Sequence, residues 1–236
     1  MILPNELLWI GFLLMDFTIA LLVYRFFKKE GLFLLIVANI VLCNLQVLKM
    51  VELFGITVSL GNILYGSIFF ATDLLGEVYG KKEARRGVTF GFLTLFYMTI
   101  IMQVTLLFQP AEADFAHESM TVLFGFVPRI AIASLIAYYL SQMHDVWAFH
   151  FWKIKTEGKY LWLRNNASTL VSQAIDSTIF VFIAFWGVFD LTVFWQILIT
   201  TYLMKVVVAA IDTPFLYLAK RFAEPEEPLK VVPSVS

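Results

Sequence analysis

The chain has 236 residues, of which 60% are hydrophobic and only 15% are charged. Soluble domains are nearer half apolar and a quarter charged, so the composition excludes a soluble domain and indicates an integral membrane protein. The net charge of −1 gives no reason to expect a nucleic acid partner, and the single cysteine, Cys43, excludes an internal disulfide and a cysteine-based metal cluster.

Apolar segments of about 20 residues recur without the alternating pattern of a β-barrel, which predicts membrane-spanning helices. The seven predicted spans are residues 5–27, 31–54, 58–79, 88–108, 121–143, 166–187 and 192–219. The predicted fold class is therefore an all-α integral membrane protein, a bundle of seven transmembrane helices in one domain over residues 1–221. The Pro- and Glu-rich segment 222–236 is expected to be a disordered cytoplasmic tail.

Basic residues sort to one side of this predicted bundle. Fourteen of the 17 lysines and arginines follow the first, third, fifth or seventh span, and Lys49, Arg129 and Lys205 lie inside spans. The positive-inside rule then places the N-terminus outside and the C-terminus in the cytoplasm. The aromatic, basic stretch 144–165 predicts an interfacial connector, with a gating role as the alternative.

The third predicted span carries carboxylates, which a lipid-facing helix would exclude because an ionised group in hydrocarbon is costly. Helical spacing places Asn62, Gly66, Phe69, Asp73 and Glu77 on one face. This helix is therefore expected to face protein or a polar cavity, and the other helices are expected to surround it.

Other predicted spans turn polar stripes toward the same interior. The second span contributes Asn39, Cys43 and Gln46, with Asn44 off the stripe, and the fifth contributes Arg129. The sixth contributes Ser168, Ser172 and Asp176, with Thr169 and Gln173 beside them, and the seventh contributes Lys205 and Asp212, with Tyr202 near. The first span contributes Asp16, for which we expect a packing role or a local partner.

Structural explanations compete with ligand binding for several of these residues. Asp176 and Lys205 could form an interhelix pair, and Glu77 could pair with Lys81. Lys49 and Arg129 lie near enough to the outer surface to snorkel. Buried Asn, Ser and Thr side chains often join helices rather than bind ligands.

A polar cavity at mid-membrane depth is typical of a small-solute transporter. No HExxH or GxSxG motif is present, and the three histidines fall in predicted loops, so we expect no enzyme, no metal and no cofactor. Nothing resembles a repeated selectivity filter, which argues against a pore.

Four segments carry a family resemblance. They are FFATDLLGEVYGKKEARRGV (69–88), VPRIAIASLIAYYLSQMHDV (127–146), NASTLVSQAIDSTIFVFIAFWG (166–187) and TTYLMKVVVAAIDTPFLYLAKR (200–221). In this order they resemble the queuosine precursor transporter family, also called the vitamin uptake transporter family. That family is similar in organisation to the six-helix substrate-binding subunits of energy-coupling-factor transporters.

The resemblance implies a six-helix core at 31–219, an added N-terminal helix at 5–27, and a place in a bacterial or archaeal inner membrane. It implies 7-deazaguanine substrates, namely the cyano and aminomethyl precursors of queuosine or the queuine base, and transport without an ATPase module. Uptake could be facilitated, or coupled to protons through a carboxylate such as Asp73 or Asp212.

Such a ligand suits the polar stripes. A carboxylate can accept both N–H groups of a guanine-like edge, amides can bond its carbonyl and ring nitrogens, and aromatic rings can stack on the base. The candidate substrate-binding residues are Asn44, Gln46, Asn62, Tyr65, Phe69, Asp73, Glu77, Arg129, Gln173, Asp176, Trp186 and Lys205.

Two other interpretations stay open at this point. One is the substrate-binding subunit of an energy-coupling-factor importer for a vitamin or nucleobase, which would copurify with an ATPase. The other is a structural or assembly membrane protein without a solute. Membrane lipid is an expected partner of any of these, and the small residues on helix faces would also suit a homodimer.

Overall fold

The computed structural model describes residues 4–54, 56–125, 127–188 and 190–223, so nearly all of the predicted tail lies outside the described residues. The helices are α1 (Asn5–Gln46), α2 (Asn62–Leu74), α3 (Lys81–Leu106), α4 (His117–Gly125), α5 (Val127–Lys155), α6 (Leu161–Phe185) and α7 (Leu191–Lys220), with strands β1 (Met50–Leu53) and β2 (Ile56–Ser59). Within these ranges four helices are long and apolar enough to cross a membrane, or five if α4 and α5, bent by 43°, form one span.

Helix α1 folds back on itself at Lys28, whose backbone angles (φ 50°, ψ −128°) are not helical. At its first turn, the Asn5 side chain donates to the Glu52 carbonyl at 3.1 Å and Glu6 Oε1 accepts from the Phe54 amide at 2.9 Å. A straight 42-residue helix is about 63 Å long and could not make these contacts. The two halves of α1 therefore run antiparallel, and the turn falls between the first two predicted spans.

The second and third predicted spans extend too far toward each other. Helix α1 ends at Gln46 and α2 begins at Asn62, and between them β1 pairs antiparallel with β2, with Val51 opposite Val58. The prediction of helix in this segment was wrong because apolar, β-branched residues suit a strand as well as a buried helix. Lys49 consequently lies outside the helices and is exposed.

Helix α5 extends beyond the predicted end of the fifth span, to Lys155. The predicted connector is therefore wrong over residues 144–155 and holds only for the short segment before Leu161. His144 and His150 lie on α5, and His117 begins α4, so the placement of the histidines in loops was wrong as well.

Helix α2 is the central helix, because all of its residues from Asn62 to Leu74 are buried. A π-helical turn, Leu75–Tyr79, continues it, and Gly80 (φ 87°) then leads into α3. The sequence interpretation that this helix is enclosed by the others is what the structure shows.

Basic side chains join four chain segments at one end of the bundle, here called the basic end. Lys28 Nζ donates to the Phe222 carbonyl at 2.7 Å, and Lys29 Nζ lies 3.6 Å from Glu83 Oε2. These contacts bring the turn of α1 to the end of α7 and the start of α3. The end of α5 joins them through Lys153, described below.

Helix α2 also packs closely against α7. A Cβ atom built at Gly66 would overlap Val208 Cγ1, whereas one built at Gly11, on the exposed face of α1, would meet nothing within 4 Å. A glycine at position 66 therefore lets the two helices approach each other.

We expect Gly66→Leu to destabilise the protein by about 1–3 kcal/mol, because overpacking forces the helices apart. Thermal unfolding of the purified protein in detergent measures this, and Gly11→Leu is the matched control, expected to leave the melting temperature unchanged. Equal melting temperatures for both variants would contradict the close packing of α2 and α7.

Candidate functional site

A buried ion pair joins four helices at the centre of the bundle. Lys205 Nζ on α7 donates to Asp176 Oδ2 on α6. The other oxygen, Oδ1, accepts from the Tyr65 hydroxyl of α2 at 2.6 Å and from Ser141 Oγ of α5 at 3.3 Å. Lys205 Nζ also lies 4.5 Å from the centre of the Tyr65 ring.

Both carboxylate oxygens of Asp176 are therefore engaged by protein groups. A buried ion pair is tolerated only where good geometry and further hydrogen bonds offset the cost of desolvation. The sequence left open whether Asp176 and Lys205 form an interhelix pair or bind a ligand, and in the structure they form the pair. A ligand N–H would have to displace Tyr65 or Ser141 to reach the Asp176 carboxylate.

A second group of acidic residues, here called the carboxyl cluster, consists of Asp73 on α2, Asp145 on α5 and Asp212 on α7. Asp73 lies against Asp145, has Asp212 within electrostatic range, and accepts from Thr169 Oγ1 at 3.5 Å. Each of the three side chains is buried, with at most 2% exposed. Asp145 approaches Asp73, Ser168 and Ser172, but among the described residues its oxygens make no hydrogen bond of normal geometry.

Buried amides and hydroxyls lie on the same helices, α5 and α6. Gln142 is fully buried, and neither its Nε2 nor its Oε1 has a hydrogen-bond partner among the described residues. The same holds for Gln173 Oε1, the Ser177 hydroxyl and the Tyr138 hydroxyl. Buried polar atoms without partners are costly, so their concentration here marks a region built to meet another polar group.

A third polar contact attaches the first half of α1 to α2. Asn39 Nδ2 donates to Ser67 Oγ at 2.8 Å, and the Ser67 hydroxyl donates to Asp16 Oδ2 at 2.6 Å. Asp16 thus has the local partner expected from sequence.

Some predicted site residues lie away from the central group. Glu77 is at the basic end, where Oε1 pairs with Lys220 Nζ at 2.5 Å, Oε2 lies 3.6 Å from Lys153 Nζ, and its carbonyl accepts from Lys153 at 2.9 Å. Trp186 is 53% exposed and stacks on Phe182.

Arg129 is also exposed, and it caps the end of α6. Its guanidinium donates to the carbonyls of Ile183 (3.0 Å) and Trp186 (2.7 Å). A cation at a helix C-terminus satisfies free carbonyls and complements the helix dipole. The structure does not bring Glu77, Trp186 or Arg129 to the carboxyl cluster.

The remaining predicted residues lie in the interior. Phe69 is fully buried beside Tyr65, with ring centres 5.5 Å apart. Asn62 is buried at the start of α2, whereas Asn44 is occupied by its own helix, donating to the Ile40 carbonyl at 2.8 Å. Gln46 has a buried Oε1 without a hydrogen-bond partner among the described residues.

Sequence reasoning missed Tyr138, Ser141, Gln142 and Asp145. It placed the first three in the predicted span 121–143 without giving them a role, and it placed Asp145 in the predicted connector 144–165. The signal that could have found them is their spacing of three and four, which puts all of them on one face of a continuous helix.

Metal chemistry has no support in the described ranges, because no group of three or more His, Cys, Asp or Glu side chains there could hold a metal ion.

Comparison with known families identifies the chain's relatives. The family model described as "Putative vitamin uptake transporter" matches residues 59–219, the region that contains the ion pair and the carboxyl cluster. The chain belongs to this family.

Two curated relatives align with most of the chain. A "Probable queuosine precursor transporter" of Bacillus subtilis (strain 168) is 46% identical over 224 residues, covering 94% of this chain and 98% of that protein. The "Queuosine precursor transporter" of Escherichia coli (strain K12) is 30% identical over 189 residues, covering 75% and 81%. No solved structure matches the chain.

Breaking the ion pair tests its structural role. Asp176→Asn is expected to destabilise the protein by about 3–5 kcal/mol, because it leaves the Lys205 ammonium buried without a carboxylate. The double variant Asp176→Asn/Lys205→Met removes the stranded charge and is expected to recover part of the loss, as thermal unfolding would show.

Glu157→Gln is the matched control, because it removes one member of an exposed pair with Lys159 (3.8 Å) and surface pairs contribute little. A double variant less stable than Asp176→Asn would contradict the pairing.

Proposed function

We propose that this protein is a multi-pass transporter of the inner membrane that imports queuosine precursors through the polar interior of its helix bundle. The observation that carries the proposal is the carboxyl cluster together with the Gln142 amide and Gln173 Oε1, which have no hydrogen-bond partner among the described residues. The chain that encloses them is 46% identical to a protein named "Probable queuosine precursor transporter". An enclosed, partly unsatisfied polar region suits a solute better than it suits helix packing alone.

The proposed ligand is a 7-deazaguanine base. Asp73, with Asp145, would accept its N–H groups, since Asp176 is occupied by Lys205 and Tyr65. The ring would stack on Tyr65, which contacts the ion pair, or on its neighbour Phe69. In this proposal Asp176 and Lys205 hold the Tyr65 ring in place, and Glu77 joins α2, α5 and α7 at the basic end.

We further propose seven spans in one transmembrane domain over residues 1–221. They are the two halves of α1, α2 with its π-helical turn, α3, the bent pair α4 and α5, α6, and α7, with the first half of α1 as the added helix. The basic end would face the cytoplasm, because lysines and arginines are retained on that side, and the N-terminus would lie outside.

Cysteine labelling tests this orientation. In a Cys43→Ala background, Ala113→Cys, in the loop between α3 and α4, is expected to react with a membrane-impermeant maleimide added to intact cells. Glu157→Cys, between α5 and α6, is expected to react only after the membrane is permeabilised. The reverse pattern would overturn the orientation, and reaction of both in intact cells would overturn the span count.

Transport itself is tested by ligand binding and uptake. The cyano and aminomethyl precursors or queuine are expected to raise the free energy of unfolding of the purified protein by about 2.7 kcal/mol at a hundredfold excess over Kd. This gain is measured as a rise in melting temperature, with guanine and biotin as comparison ligands. Asp73→Asn is expected to lower uptake at least tenfold, because it removes an acceptor for the ligand N–H groups.

Asp114→Asn is the matched control. Asp114 caps α4 from an exposed loop, accepting from the Ala116 and His117 amides, and asparagine caps a helix equally well. Folded wild-type protein that binds no 7-deazaguanine would overturn the proposed substrate. Full uptake by Asp73→Asn would overturn the role of the cluster.

The proposal needs no ATPase partner, and copurification with one would contradict it. The uptake proposed is either facilitated diffusion or transport coupled to protons through the carboxyl cluster. Uptake that survives collapse of the proton gradient would exclude the second.

A further inference from the structure

Basic side chains line an open groove at the start of α3, here called the basic groove. Its volume is about 490 Å³, and it is lined by Lys81, Lys82, Arg85, Arg86 and Thr89. The spacing of these positions places them on one face of the helix. Residues 81–89 contain four basic residues and one acidic residue, so this segment has a net charge of +3.

Three cations of the basic groove differ from other lysines at the basic end in having no carboxylate partner. Lys153 and Lys220 both pair with Glu77. Lys81, Lys82 and Arg85 form no ion pair with any residue that the structure describes. Since like charges held close together repel one another, an anion that enters the groove is bound favourably.

The one acidic residue of this segment, Glu83, is already engaged. Its Oε2 lies 2.8 Å from Arg86 Nη1 and 3.6 Å from Lys29 Nζ. The Arg86 guanidinium also lies over the rings of Phe33 and Phe90, at 5.6 and 5.8 Å from their centres. These contacts fix Arg86 at the side of the groove, and they leave no carboxylate of α3 to neutralise the other three cations.

An exposed apolar face continues from the basic groove along α3. It consists of Leu93, Phe96, Tyr97 and Ile100, whose side chains are 45–67% exposed. Helical spacing puts them on the same side of α3 as the groove. The axial distance from Thr89 to Ile100 is about 16 Å, close to one leaflet of a hydrocarbon core about 30 Å thick. Because α3 is long and apolar enough to cross a membrane, the groove would lie at headgroup level and the apolar face among acyl chains.

This combination matches the chemistry of an anionic phospholipid. The Arg85 guanidinium can donate two parallel hydrogen bonds to phosphate oxygens, and the ammonium groups of Lys81 and Lys82 add point charges. A zwitterionic lipid brings its own cation, which the positive groove repels, whereas an anionic lipid brings none. A free phosphate would use the groove but would leave the apolar face without a role.

We propose that the basic groove binds the headgroup phosphate of an anionic phospholipid whose acyl chains pack along the apolar face of α3. The bound lipid holds the start of α3 at the membrane surface, directly after the π-helical turn that ends the central helix. The inference goes beyond the proposed function, because it requires only that α3 spans the membrane and does not depend on the transported solute.

The test measures lipid affinity of the purified protein in detergent by native mass spectrometry. Wild-type protein is expected to bind phosphatidylglycerol at least tenfold more tightly than phosphatidylcholine with the same acyl chains. Lys82→Gln/Arg85→Gln is expected to lower the affinity for phosphatidylglycerol at least tenfold, because each cation near an anionic headgroup contributes about a fivefold gain. Both side chains are exposed, so the melting temperature without lipid should stay at the wild-type value.

Lys155→Gln/Lys159→Gln is the matched control. It also removes two exposed cations from the basic end, but these lie at and after the end of α5, outside the groove. Its affinity for phosphatidylglycerol is expected to stay within about twofold of wild type. Equal losses in the two double variants would show a general attraction of charge and would overturn the groove as a site.

Two further outcomes would overturn the inference. Wild-type protein with equal affinity for the two lipids would show that the headgroup charge is not recognised. Glycerol phosphate, which has no acyl chains, is expected to bind at least tenfold more weakly than phosphatidylglycerol, and equal affinity would assign the groove to a soluble anion. None of these results depends on 7-deazaguanine binding, so the inference and the proposed function fail separately.

Discussion

An ionisable side chain cannot be left facing hydrocarbon, and the fold depends on how it meets this constraint at α2. Asp73 lies in a helix whose every residue is buried. The antiparallel halves of α1 cover one side of α2, α7 packs closely against it at Gly66, and α5 and α6 bring partners to it. Enclosure by protein avoids the cost of exposing the carboxyl group to lipid, and it also creates the polar interior.

The polar groups of this interior divide into two kinds. The Asp176–Lys205 pair is fully engaged, with Tyr65 and Ser141 as further partners, and it joins four helices. Glu77 is paired with two lysines at the basic end. Such groups hold the bundle together. Gln142 and Gln173 instead have polar atoms without a partner in the described part of the chain, which costs stability and suits them to meet a ligand.

The sequence errors have physical causes. A hydropathy pattern ends a span where polar residues become frequent, so the fifth predicted span ended at residue 143 and Asp145 was placed in the stretch that follows. In the structure α5 continues because these side chains face other helices rather than lipid. The segments 50–54 and 58–59 were interpreted as ends of helices because a short apolar run has no periodicity that separates a strand from a buried helix.

The sequence by itself determined the membrane class, the family resemblance and the enclosed stripe on α2, because composition and helical spacing depend only on the order of residues. It also left both the pairing and the ligand interpretation open for Asp176. Only the tertiary structure decided which ionisable groups meet, since Asp176 pairs with Lys205 between α6 and α7 and Asp73 meets Asp145 between α2 and α5. Whether a buried polar atom has a partner depends on side chains distant in sequence, and for that reason Gln142 became visible as a candidate only in the folded bundle.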